Sequence, residues 1–97
     1  MRKPDRINYE FDYVLGQVLK DKRKNKKITM QQVAEKLNTT KQAIFRYENA
    51  DVSMKNSMFK KYCYAIEENP TNVYEEVSLK YMRYVDLHKN EIMKEDR

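Results

Sequence analysis

Residues 28–50, ITMQQVAEKLNTTKQAIFRYENA, hold two short helices separated by a tight turn, and this stretch decides the fold. Thr29 followed by Gln32 has the spacing of a capping box: the hydroxyl accepts an orphan N–H of the first turn while the amide reaches back to the cap. A helix is therefore expected from about Met30, with Val33, Ala34 and Leu37 facing inward. Asn38-Thr39-Thr40 then breaks the pattern. Asparagine tolerates positive φ, and Thr40 can cap a second helix running from Lys41 to about Asn49. A short helix, a turn and another short helix is helix-turn-helix spacing.

The second helix can be mapped at about 100° per residue. With Ile44 at the centre of the buried face, Tyr47 and Glu48 fall beside it. Gln42, Phe45, Arg46 and Asn49 fall opposite, and Lys41 stands at the N-terminal edge. Side-chain amides suit adenine, and guanidinium or ammonium groups suit guanine O6 and N7, so this face has the groups that read base edges. The alternative is an ordinary polar helix face, which would use more Glu and Lys and less Phe. Phe45 has three readings: contact with a thymine methyl, packing against the following loop, or a protein contact.

Outside this stretch, the 97 residues amount to one domain. Gly 1 and Pro 2 leave few turns and long segments, which favours an all-helical chain over a sandwich or barrel. With 36% charged residues and a mean hydropathy of −1.01, the core is expected to be small. No apolar run is long enough for a membrane span and no secretory signal is expected. The single Cys63 excludes an internal disulfide, fits a reducing cytoplasm and reads as a small buried filler.

Residues 1–8 read as a flexible basic arm carrying Arg2, Lys3 and Arg6. From Tyr9, the apolar residues Phe11, Val14, Leu15, Val18 and Leu19 make an amphipathic stripe and a first helix to about Asn25. Its end, KDKRKNKK at 20–27, is either a solvated run suited to the helix dipole or a patch facing phosphates. A fourth helix carries Phe59, Tyr62, Cys63 and Ile66 inward and ends before Pro70. Thr71 is expected to cap a fifth helix over about 72–95. Its stripe of Val73, Val77, Tyr81, Tyr84, Val85, His88 and Ile92 is longer than a small bundle can cover. A homodimer contact through Val77, Tyr81, Tyr84, Val85, His88 and Ile92 is favoured over packing back on the same chain or holding a foreign protein. The organisation is thus 1–8 arm, 9–70 helix-turn-helix domain, and 71–97 C-terminal helix.

Charge is uneven. Residues 1–27 carry nine Lys/Arg against four Asp/Glu, 28–66 six against three, and 67–97 five against eight. The basic two thirds carry the footprint of a nucleic-acid binder, and the acidic last third stays off DNA. No Gly-rich phosphate loop, nucleophile–His pair or metal-spaced Cys/His cluster exists, and Glu67-Glu68 and Glu75-Glu76 point apart on their helices. Neither an enzyme nor a metal, cofactor, membrane or small-molecule site is expected.

Residues 15–50, and more loosely 11–78, resemble the Cro/C1-type helix-turn-helix domain of lambdoid phage repressors and Cro proteins. The matching residues are I-T-x-x-x-V-A-x-K-L at 28–37, N-T-T-K-Q-A-I at 38–44 and R-Y-E-N at 46–49. The resemblance implies a five-helix, lambda-repressor-like all-α domain whose recognition helix starts at Lys41, with Thr40, Lys41, Gln42 and Arg46 at DNA-contacting positions. Phe45 joins them on the same face as a candidate base contact. Thr29, Met30, Asn49, Lys55, Lys26 and Lys27 are the candidate phosphate contacts. Glu48 matches an acidic position that pairs with a basic side chain of the first helix, here assigned to Arg23. The chain departs from the family at Met30, where relatives carry a phosphate-binding Gln, and at Lys27 and Ala50, where Gly is common. The expected function is that of a cytoplasmic, sequence-specific transcriptional regulator of a bacterial, phage or mobile-element promoter. It would be a dimeric repressor that occludes a pseudo-palindromic operator on double-stranded DNA. The alternative is a protein-interaction module, such as an antitoxin or inhibitor that holds a partner through the long C-terminal helix.

Overall fold

A computed structural model describes the backbone of residues 6–95 and the side chains of residues 11–87. Five helices follow in order: α1 Arg6–Asn25, α2 Met30–Lys36, α3 Lys41–Glu48, α4 Asn56–Ala65 and α5 Pro70–Glu95. α1 takes in Arg6, Ile7 and Asn8, so the arm expected over 1–8 is shorter at its C-terminal end. Those three residues lack apolar periodicity, but none of them breaks a helix, so the backbone continues into them. Residues 1–5 lie outside the described residues.

The apolar stripes converge on one core. Leu15, Val18 and Leu19 of α1 meet Val33 and Ala34 of α2, Ile44 of α3, and Phe59, Tyr62 and Cys63 of α4 with Ile66 at its C-cap, and Val73 and Val77 of α5 close it. α2 packs on α3, and α1 runs across both α3 and α5. Burial pushes the Cys63 thiol up to about 12, with Glu68 adding to the effect, so it is a neutral filler.

One expectation about α5 is corrected. Asn69, not Thr71, caps the helix: its Oδ1 accepts from the N–H groups of Thr71 (2.8 Å) and Asn72 (3.2 Å). Pro70 thereby takes the first helical position, where its missing N–H costs nothing. Of the stripe expected to make a dimer contact, Val77 and Tyr81 pack on their own chain. Val77 is fully buried in the core, and the ring of Tyr81 meets Phe11 of α1 edge-on at 5.2 Å. Phe11 also lies 6.2 Å from Tyr74. α1 is long enough to cover this half of α5, so Val77 and Tyr81 have partners inside the subunit. Tyr84 and Val85 are half-buried, whereas the side chains of His88 and Ile92 fall outside the described residues.

The first four helices end alike, and none of them uses glycine. Lys27, Asn38, Ala50 and Glu67 follow α1 to α4 with φ of 59°, 55°, 60° and 61°. In each case the next N–H returns to a carbonyl five residues earlier: Ile28 to Arg23, Thr39 to Ala34, Asp51 to Arg46 and Glu68 to Cys63. Each is a Schellman termination. The left-handed geometry that glycine serves at Lys27 and Ala50 in related chains is therefore kept with a side chain in place, at a cost on the order of 1 kcal/mol apiece.

Candidate nucleic-acid interface

Local caps build the helix-turn-helix. The N–H of Gln32 donates to Thr29 Oγ1 (3.0 Å), and Gln32 Oε1 accepts from the Thr29 N–H (2.8 Å), so both halves of the capping box are made. At the turn, Asn38 takes its left-handed conformation, and Thr40 Oγ1 accepts from the Ala43 N–H (3.1 Å) to start α3. Thr29 and Thr40 thus spend an acceptor on the fold while each keeps a hydroxyl proton to donate outward.

α3 is oriented by what lies beneath it. Ile44 is in the core and Glu48 is 1% exposed. Arg23 Nε donates to Glu48 Oε2 (2.7 Å) and its Nη2 to Oε1 (3.0 Å), the bidentate pairing expected between the first helix and this carboxylate. Arg23 Nη1 also donates to the Ile28 carbonyl (2.9 Å), and the Tyr62 hydroxyl donates to Glu48 Oε2. The hydrogen bond to Glu48 holds the Arg23 guanidinium above its usual range. The Tyr62 phenol is raised first by burial and then by the same carboxylate. The Glu48 carboxylate therefore fixes the end of α3 to α1 and α4, and Arg23 extends the network to the entry of α2. Tyr62 was read from the sequence only as core; its amphipathic type, a phenol at an inward position, is the signal that it also seeks a polar partner.

Opposite this anchor, Lys41, Gln42, Phe45 and Arg46 are all exposed, with Phe45 at 51%. Phe45 stays out of the core cluster, whereas Tyr47 packs against it. The residues assigned to phosphate divide. Lys27 and Lys55 stand exposed, and half-buried Asn49 donates through Nδ2 to the Phe45 carbonyl (2.8 Å). Met30 packs its side chain against the core. Lys26 is engaged elsewhere: its ammonium donates to the Glu67 carbonyl (2.6 Å) and pairs with Glu68 at 3.0 Å. Lys22 likewise pairs with Glu76 of α5 at 2.9 Å. With Arg23 committed to Glu48, half of the basic run at 20–27 serves the fold.

A capped helix, a tight turn, and a second helix anchored beneath and polar outside define a helix-turn-helix DNA-binding module. A family model described as helix-turn-helix matches residues 19–71, more than half of the chain, and the protein belongs to this Cro/C1-type family. It is a DNA-binding transcriptional regulator and not an enzyme. Its fold is similar to the crystal structure of the clp gene regulator ClgR from C. glutamicum, with a TM-score of 0.68 at 18% identity, over 72% of this chain and 91% of that one. No curated protein matches the chain. No described helix is long and apolar enough to cross a membrane.

Proposed function

We propose that this regulator is a dimeric, sequence-specific repressor of the cytoplasm that acts by covering a promoter. The observation that carries the reading is the two-sidedness of α3: Ile44 and Glu48 are locked inward while Lys41, Gln42, Phe45 and Arg46 are offered outward. With α3 in the major groove, Gln42, Arg46 and Lys41 read base edges, Thr40 donates at the start of the helix and Phe45 supplies an apolar contact. Thr29, the Met30 backbone, Lys27, Asn49 and Lys55 hold phosphates on either side. Dimerisation, which gives a pseudo-palindromic operator, rests on the outer side of α5, where Leu79, Met82 and Leu87 are exposed beside half-buried Tyr84 and Val85.

Selection of binding sites from random duplexes tests the reading. A pseudo-palindromic consensus is the expected result, and no enrichment over random sequence overturns it. The exposed apolar residues of α5 also favour a second reading, an antitoxin-like module that holds another protein. On that reading selection returns no consensus and the purified chain stays monomeric.

A further inference from the structure

The loop 49–55 between α3 and α4 holds an apolar side chain that the DNA-reading face does not yet account for. Val52 is 40% exposed although its neighbours Asp51 and Ser53 are polar. It forms one wall of a 330 Å³ cleft whose other lining is Thr40, Gln42, Ala43, Arg46 and Tyr47. Ala43 and Tyr47 are half-buried, whereas Thr40, Gln42 and Arg46 are exposed, so apolar surface lies beside the two best base-reading side chains of α3. The lining contains a guanidinium and no carboxylate, which suits a polyanion.

The loop is held from both ends. Ala50 takes its left-handed turn with the Asp51 N–H bonded to the Arg46 carbonyl (2.9 Å), and Ser53 Oγ donates to Asp12 Oδ2 of α1 (2.6 Å). Val52 sits between these anchors, and its β-branched side chain has few rotamers to lose on contact. A methyl-sized apolar wall next to an amide and a guanidinium matches one feature of the major groove: the 5-methyl of thymine is the apolar group among the base edges.

Resting on the DNA-reading function proposed above, we infer that Val52 and Ala43 form a specificity pocket for the 5-methyl of a thymine adjoining the base read by Gln42 or Arg46. Phe45 lies on the other flank of α3, so the two apolar contacts address different bases.

The test uses the selected operator with each thymine replaced singly by uracil, which removes only the methyl. Wild-type protein is expected to bind about fourfold more weakly at one position, the effect of one buried methyl. Val52→Ala should bind the all-thymine operator more weakly by a similar factor and show no further loss at that uracil, with unchanged thermal unfolding. The inference is overturned if no thymine shows the effect, if Val52→Ala keeps the full uracil sensitivity, or if Phe45→Ala instead abolishes it. It is also overturned if Val52→Ala weakens thymine and uracil operators equally, which would assign Val52 to the sugar–phosphate backbone. A consensus without these methyl effects leaves the DNA-reading function standing, whereas failure to select any consensus overturns both.

Discussion

Gly16 in the middle of α1 lies directly against the backbone carbonyl of Glu48 at the end of α3. A Cβ there would stand 2.8 Å from the Glu48 carbonyl carbon and 2.9 Å from the Tyr47 carbonyl oxygen, closer than a side chain can be placed against backbone. This is the single glycine of the chain, and in a helix interior it costs about 1 kcal/mol relative to alanine. The close crossing of α1 over α3 explains it. Gly16→Ala is therefore expected to lose stability despite the better helix propensity, by roughly 1–3 kcal/mol as in other overpacked contacts. Urea unfolding measures the loss, and an equally stable variant would show that the helices separate freely.

The carboxylate of the same Glu48 is buried against Arg23 and Tyr62. Arg23→Leu leaves a buried charge without its cation and should cost about 3–5 kcal/mol. Tyr62→Phe removes one hydrogen bond to a charged group and should cost less, about 1.5–3 kcal/mol. The order of the two unfolding free energies is the checkable content, because equal losses would mean that the hydroxyl and the guanidinium act as one inseparable unit.

The caps and the inner face of α3 were legible in the sequence because each depends on residues three or four positions apart. Thr29 with Gln32, and Thr40 with Ala43, settle locally. The destination of the α5 stripe was not legible. The spacing of Val73, Val77 and Tyr81 requires an apolar partner without specifying which, and Phe11 on α1 supplies it within the chain. Gly16 carries a signal of its own, since an isolated glycine within an amphipathic stripe implies a close neighbour. Ser53 with Asp12, forty-one positions apart, had none.

Stability should fall in alkali. The Cys63 thiol is raised from 9.0 to about 12, chiefly by burial, and the Tyr62 phenol is raised from 10.0 by burial and by Glu48. Both stay protonated in the folded chain at pH values where the unfolded chain releases those protons. The unfolded state then binds fewer protons, so the contribution of these two groups is level below about pH 9 and declines towards pH 12, by up to about 1.4 kcal/mol per pH unit for each. Urea midpoints measured from pH 8 to 11 test this. Cys63→Ala should move the onset up by about one unit, to where tyrosine begins to titrate.

Glu67 follows α4 at φ 61° and is exposed. Glu67→Gly relieves the left-handed backbone and is expected to stabilise the fold by about 0.5–1 kcal/mol, a gain of several degrees in thermal midpoint for a chain of this size.

Arg46 is the most direct test of base reading. Arg46→Ala should weaken binding to the selected operator by roughly 1–3 kcal/mol and relax the preference at one base position. Equal weakening on all sequences, measured by competition with random duplex, would assign it to phosphate instead.

The pairs Lys22 with Glu76 and Lys26 with Glu68 have a thermodynamic consequence. Affinity for DNA declines with added electrolyte in proportion to the phosphates neutralised, because each contact frees a condensed counterion. Cations already matched within the fold displace no such ions. The logarithmic slope against potassium chloride should therefore be set chiefly by the phosphate-facing Lys27 and Lys55, and be much shallower than the 20 Lys and Arg residues of the chain would suggest.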